Sequence, residues 1–344
     1  MKFAFYSDTH IKVYKKNSSF FDAHIQPSLD YFYDECKKRN VDVIFHLGDF
    51  FHVKETVATE AFTKAYWYVS KISKLAPNYY LVGNHDSYMK DNHSIHLLES
   101  FKPLVSVIDT AYQYVDFDKF RFHFTSYAKE EEIIKVLKND IKMRNNGYDF
   151  FFGHFGLNNF VMQQDNYTDQ YSSLTKHMFT QFKRAWFGHF HFHQEQDNCM
   201  YISSPFQSKH GDEQGLHGFV FYDTETNENE FIENPYSPKF KTIQLTEENL
   251  SEILESSNQF LRLYYHPGIN RDILNQIQEK LLIKNYDVKI KPMELDEKQE
   301  FKIPVVEEWQ EIVHKDADDI LAEWYEYNKD NLKFSKDEMF SVFS

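Results

Sequence analysis

Asp42-Val43-Ile44-Phe45-His46-Leu47-Gly48-Asp49-Phe50-Phe51-His52 is the stretch on which the reading of the chain turns. Its apolar run is too short for a helix and is rich in β-branched and aromatic residues, so it predicts a buried strand over 42–46. The strand ends in a glycine, and an aspartate and a histidine follow. A similar arrangement recurs along the chain: a hydrophobic strand, mostly a glycine, then His, Asp or Asn. Residues 2–6 lead into Asp8-Thr9-His10, and 79–82 into Gly83-Asn84-His85-Asp86. Residues 148–152 lead into Gly153-His154, and 185–187 into Gly188-His189-Phe190-His191. Four of only 10 glycines directly precede these polar groups, where a residue without Cβ lets the backbone turn sharply. On extended chain, Asp8 and His10 would project to the same side. In α/β sheets ligands collect at the carboxyl ends of strands, which is where all five motifs fall.

Composition bounds what such a site can be. The 344 residues suggest two domains or one large domain with appendages, and 42% apolar content can build a sizeable core. Mean hydropathy is −0.63, and no stretch of roughly 18 apolar residues exists, so no membrane span is expected. The first ten residues lack a signal-peptide core, which predicts a cytoplasmic protein. Two cysteines, Cys36 and Cys199, read as inert thiols and exclude a disulfide framework or a cysteine-rich zinc site. Metal chemistry would therefore fall to carboxylates and the 17 histidines. A net charge of −15 argues against a stand-alone nucleic-acid binder, although bound divalent cations can invert the local potential.

The remaining pattern predicts an α/β fold with two sheets packed together and helices outside. Helices are expected over 24–39, 56–75 and 130–144, and a hairpin over 112–117 and 120–126. Further strands are expected over 200–202, 218–223 and 230–233. Residues 258–292 read as a separate β-α-β unit, with Asn270 capping a helix that presents Ile273, Leu274, Ile277 and Leu281 on one face. Residues 294–304 read as a polar linker. Over 305–344, Trp309, Val313, Ala317, Ile320, Trp324 and Tyr327 recur at helical spacing. A second short helix begins at Ser335 with Glu338 completing a capping box. Docking on a partner and packing back on the parent domain are both open for these helices.

Phosphate-ester hydrolysis accounts for the residue types. It needs a nucleophile at neutral pH and neutralisation of transition-state charge, which two cations about 3.5–4 Å apart supply. Carboxylate, imidazole and amide oxygen are suitable ligands, and a nearby imidazole can protonate the leaving oxygen.

This set of residues resembles the calcineurin-like metallophosphoesterase superfamily over residues 1–245. The resemblance implies a four-layer α/β/β/α sandwich with a small α+β capping domain (246–293) and a C-terminal helical segment. It implies one metal held by Asp8, His10, Asp49 and His191, and a second by Asp49, Asn84, His154 and His189, with Asp49 as the bridge. His85 would be the acid or phosphate-contacting histidine, oriented by Asp86. The form Gly48-Asp49-Phe50-Phe51-His52, without the Asp-Arg-Gly run of protein phosphatases, looks like the meiotic-recombination nuclease and its bacterial counterpart SbcD. There the extra histidine, here His52, helps place the scissile phosphate. Tyr201-Ile202-Ser203-Ser204-Pro205 resembles that family's Tyr-x-Gly-Ser-Pro segment, with Ser203 where glycine is usual. Lys12 likewise stands where the family has glycine after the first motif.

The resemblance further implies a two-metal DNA nuclease subunit of recombination and end processing. It would be a 3′→5′ exonuclease on duplex ends and an endonuclease on single strands, with manganese as the activating metal. The partner would be an SMC-like ABC ATPase of SbcC type, engaged through 305–344. A homodimer could form through 24–39 or 56–75. Phage members share the compact size, and a phage-encoded chain would work in the host cytoplasm. The rival readings are a small-molecule or cyclic-nucleotide phosphodiesterase and a non-catalytic scaffold of the same fold. Among other residues, His46 reads as a packed strand histidine. His193 is open between a supporting position near the metals and solvent. Lys209-His210-Gly211 and the run Lys12-Val13-Tyr14-Lys15-Lys16 are candidates for phosphate contact or solvated loop. Asp22, His24, His93, His96, His123, His177, His210 and His217 carry no assigned chemistry.

Overall fold

The structure, a computed structural model, describes residues 1–12, 21–52, 56–89, 92–144, 147–163, 167–170 and 172–293. The linker at 294–304, the C-terminal segment 305–344 and most of the run from Lys12 to Lys16 lie outside them. The chain divides into two units, the first being Met1–Ser237.

The first unit is built on two six-stranded sheets. One runs in the order Glu228–Glu233, Gly218–Asp223, Lys2–Tyr6, Val43–His46, Asn78–Leu81, Ser106–Ile108. The other runs Gln194–Gln196, Cys199–Tyr201, Arg184–Gly188, Asp149–His154, Phe120–Thr125, Gln113–Phe117. The central strands of each sheet are mutually parallel. Antiparallel strands close three of the four edges. Parallel pairing puts the carboxyl ends of Lys2–Tyr6, Val43–His46 and Asn78–Leu81 at one end of their sheet. Those of Asp149–His154 and Arg184–Gly188 are in register, with Gly188 opposite His154.

Side-chain alternation sorts the layers. Phe3, Phe5, Val43, Phe45, Tyr79 and Leu81 face Phe122, Phe124, Phe150, Phe152 and Trp186 in the core between the sheets. Phe45 stacks on Phe152 at 4.4 Å and Phe5 on Trp186 at 4.7 Å. Offset aromatic stacking suits a core this rich in phenylalanine. On the outer face of the first sheet, Phe32 of helix Gln26–Arg39 packs on Tyr6 and Phe219 at 4.6 and 4.8 Å. Helix Thr59–Ile72 buries Ala61, Ala65, Tyr68, Val69 and Ile72, the stripe expected of an amphipathic helix.

The outer face of the second sheet is covered by Ile133, Leu157, Leu174, Phe179 and Phe182 over Phe151, Phe187 and Tyr201. The helix expected over 130–144 is shorter. Glu130–Lys135 is α-helical, and the wider turn Val136–Asp140 ends it. The backbone beyond is tied to strand ends instead: Lys142 N donates to the Tyr112 hydroxyl and Arg144 N to Asp149.

The second unit begins at Pro238, not at 246. The strand Lys239–Gln244 pairs parallel with Gln259–Tyr265, which pairs parallel with Asp287–Pro292. Helices Glu247–Leu254 and Arg271–Lys284 supply Leu250, Ile253, Ile273, Leu274, Ile277 and Leu281 to its core. The Asn270 side chain accepts from Asp272 N at 2.7 Å, so the expected cap is formed. Among the described residues, no helix is long and apolar enough to cross a membrane.

Candidate metal centre

All seven proposed ligands come together at the strand ends. The loops after Lys2–Tyr6 and Val43–His46 run side by side, with Asp8 N donating to Gly48 O and His10 N to Asp49 O, both at 3.0 Å. Asp8 and His10 do not converge by the extended-chain spacing expected of them. Their φ values are 53° and 43°, in the left-handed region, as are those of Asp49 (55°) and His189 (94°). Non-glycine residues rarely adopt that region, and such strain collects at functional sites.

The donors form two clusters, Asp8 with His10 and His191, and Asp49 with His154 and His189. His10 Nε2 and His191 Nε2 face each other at 3.2 Å. Asn84 Oδ1 joins the second cluster, 3.1 Å from His154 Nε2 and 3.0 Å from His189 Nδ1. Asp49 touches both: Oδ1 lies 3.3 Å from His154 Nε2, and Oδ2 lies 3.8 Å from His10 Nε2. The His189 amide donates to both Asp8 oxygens, at 3.2 and 3.0 Å.

The backbone partners decide where the imidazole protons sit. His154 Nδ1 donates to Leu47 O at 2.6 Å, which can only accept. His191 Nδ1 is 3.1 Å from the Asp212 carboxylate. Each ring in its neutral form therefore points an Nε2 lone pair inward. For His154 it meets the Asn84 amide oxygen and the Asp49 carboxylate, which are also lone-pair donors, and for His191 it meets the His10 imidazole. Buried lone pairs facing one another repel, and a cation between them removes the repulsion. The donor set of imidazole, carboxylate and amide oxygen fits two divalent cations.

Without a cation, a proton takes its place. Burial pulls the His154 imidazole down, but the Asp49 carboxylate outweighs this and holds it up to about 9. Burial likewise pulls His10 well below its ordinary value, against the opposing pull of Asp49. Below about pH 9, a cation entering the second cluster would displace the His154 proton. Calorimetric titration with Mn2+ in buffers of different ionisation enthalpy is expected to show proton release and an affinity that rises from pH 7 to 9. An affinity flat across that range, with no proton released, would contradict this assignment.

Among the glycines required by close approach are Gly48 and Gly83. A Cβ on Gly48 (φ 98°) would lie 2.3 Å from His154 Nδ1, and one on Gly83 would lie 2.2 Å from Asp49 Oδ1.

Beside the clusters, His52 and His85 stack at 5.6 Å with nearly parallel rings, and His85 stands edge-on to His10 at 4.8 Å. His85 Nδ1 donates to His52 O at 2.9 Å, and His85 N donates to Asp49 Oδ1 at 2.7 Å. Burial, with Lys12 and His85 beside it, holds His52 down to about 4, so its ring is neutral at pH 7. Asp86 is not the partner of the His85 ring. Its buried carboxylate accepts from the backbone amides of Phe50, Phe51 and Gly83 and so staples the second and third motifs together.

Among the remaining histidines, His46 is packed as expected, edge-on to Tyr6 and bonded to Thr9 Oγ1 at 3.3 Å. His193 stacks on Phe231 at 4.2 Å. One buried group escaped the sequence reading: Asp212, which ends the short turn His210–Asp212, directly after Lys209-His210-Gly211. Its only sequence signal is that neighbourhood. Burial opposes its charge, but His191 and Lys209 outweigh this and keep the carboxyl well below the usual range.

Two clusters of oxygen and imidazole ligands at the carboxyl ends of parallel strands, in a sandwich of two sheets, define a metallophosphoesterase. The chain belongs to the calcineurin-like phosphoesterase family, whose pattern matches residues 1–193. It is 30% identical over 203 residues to exonuclease subunit 1 of Enterobacteria phage T4, a match covering 58% of this chain and 58% of that protein. The chain thus matches a little over half the length of that relative. Among solved structures it is similar to an archaeal phosphodiesterase (16% identity, 68% of this chain and 99% of that one, TM-score 0.35). It is also similar to a dimetal phosphatase from Danio rerio (12% identity, 64% and 91%, TM-score 0.38). The family uses divalent metals, and its fold is that of a phosphoester hydrolase.

Proposed function

We propose that the chain is a two-metal DNA nuclease subunit that cuts phosphodiesters. The observation that carries this is the stacked pair His52 and His85 beside two ligand clusters, with Asp49 of one also facing His10 of the other. The likeness to an exonuclease subunit supports DNA as the substrate and a partner chain.

Asp8, His10, Asp49 and His191 would hold one cation, and Asp49, Asn84, His154 and His189 the other, with manganese as the activating metal. When bound, the cations supply Lewis acidity, acidifying water and neutralising phosphoryl charge. His85, its Nδ1 committed to the His52 carbonyl, presents Nε2 to the substrate and in its protonated form gives a proton to the leaving oxygen. Neutral His52 donates a hydrogen bond to the scissile phosphate. Asp86 holds the loops that carry both rings at a fixed separation.

The expected activities are 3′→5′ cleavage of duplex ends and cutting of single strands. The acidic chain would share its DNA grip with an SMC-like ATPase bound through 305–344. Trp67, 72% exposed on helix Thr59–Ile72, supports a homodimer face there.

The test is Mn2+-dependent nucleotide release from end-labelled duplex DNA, with and without the ATPase. His85→Ser is expected to lose roughly 10²–10⁴-fold in rate while keeping its fold and its metals. If DNA stays intact in both series while bis-p-nitrophenyl phosphate is hydrolysed, a small-molecule phosphodiesterase replaces this reading.

A further inference from the structure

We infer that Asp212 is a positioning residue: it locks the His191 ring so that Nε2 faces a cation held with Asp8 and His10. The inference rests on the two-metal reading above and adds to it a residue outside the five strand-end motifs.

Asp212 is 1% exposed and lies on a short turn, His210–Asp212. Its two oxygens have separate tasks. Oδ1 faces His191 Nδ1 at 3.1 Å. Oδ2 accepts from Ser208 N and Ser208 Oγ, both at 2.9 Å. The turn itself is anchored from behind. His217 Nε2 donates to Asp212 O at 2.8 Å, and His217 Nδ1 meets Ser204 Oγ at 2.9 Å.

A carboxylate on the outer nitrogen of a ligating imidazole fixes its tautomer and orientation and raises its basicity. In the second cluster, by contrast, His154 Nδ1 bonds a neutral carbonyl, Leu47 O, where His191 has a carboxylate. The two clusters should therefore differ in their dependence on Asp212.

The test uses the full chain, Mn2+ and two variants, Asp212→Asn and Ser208→Ala. Wild type is expected to bind two Mn2+ in calorimetry and to give a spin-coupled two-manganese signal in electron paramagnetic resonance. Asp212→Asn, isosteric but uncharged, should weaken one of the two sites by about 10- to 100-fold and leave the other unchanged. At intermediate Mn2+ its spectrum should become that of a single isolated ion. Ser208→Ala, which loosens the turn but leaves the Oδ1 contact, should keep wild-type affinity at both sites. If wild type fails to bind two ions, the two-metal reading falls and this inference with it. If wild type binds two and Asp212→Asn does likewise with unchanged affinities, the inference alone is overturned. It is equally overturned if Ser208→Ala matches the Asp212 variant, because the turn and not the carboxylate would then be what matters.

Discussion

Asp49→Asn is expected to fold normally and to load neither cation tightly. The native carboxylate directs one oxygen toward His154 and the other toward His10, so a single side chain serves both clusters. Asparagine keeps the shape but replaces one oxygen with an NH2 group. Whichever way the amide turns, one cluster then faces N–H donors where it needs a lone pair. The negative charge that two cations would share is lost as well. Residues that merely support metal ligands are worth about 10–100-fold in affinity or activity, so a residue touching both clusters should exceed that. The expected result is a loss of more than about 100-fold in phosphodiester hydrolysis, with fewer than two Mn2+ retained after equilibrium dialysis. Two retained ions would refute the bridging role, whatever the rate.

Gly83→Ala should do comparable damage with one methyl group. The glycine is not in the left-handed region, so alanine is acceptable to its backbone and only space is at issue. The added Cβ would lie 2.2 Å from Asp49 Oδ1 and 2.3 Å from Asp49 N. A side-chain oxygen can rotate away, but a backbone nitrogen cannot, so the loops after Val43–His46 and Asn78–Leu81 must separate. Those loops are held by the same Asp86 carboxylate, which accepts from Gly83 N and from the amides of Phe50 and Phe51. Overpacking of this kind costs about 1–3 kcal/mol of stability. Misplacing a reacting group by an ångström costs about 10²-fold in rate. The prediction is thus a rate loss of roughly 10²-fold with a modest fall in melting temperature. Gly211→Ala, whose Cβ would come no nearer than 3.7 Å to Lys209 Cε, should melt like wild type. A Gly83→Ala protein with full activity would show that the loops separate without disturbing Asp49.

The strand-end motifs were legible because ligand chemistry admits few residue types and close-packed loops demand glycine before them. Which loops would lie together was not legible, since sheet order depends on pairings remote in sequence. Lys2–Tyr6 sits between Val43–His46 and a strand that arrives only at Gly218–Asp223. Neighbours in sequence also misled. Asp86 follows His85, yet the turn sends its carboxylate to backbone amides and leaves the His85 ring to a carbonyl. Asp212 follows no strand, so no periodic signal announced it. Lys239–Gln244 was missed because its outward lysines surround one deeply buried phenylalanine, Phe240, and weaken the apolar alternation that marks a strand.

Asp8, His10, Asp49 and His189 hold backbone angles that favour glycine, while their side chains belong to the two clusters of candidate ligands. A library selected only for thermal tolerance would therefore drift toward glycine at these four positions, and a library selected for turnover would drift back. The two selections oppose each other most directly there, so robustness is better sought in the aromatic layers than around the centre.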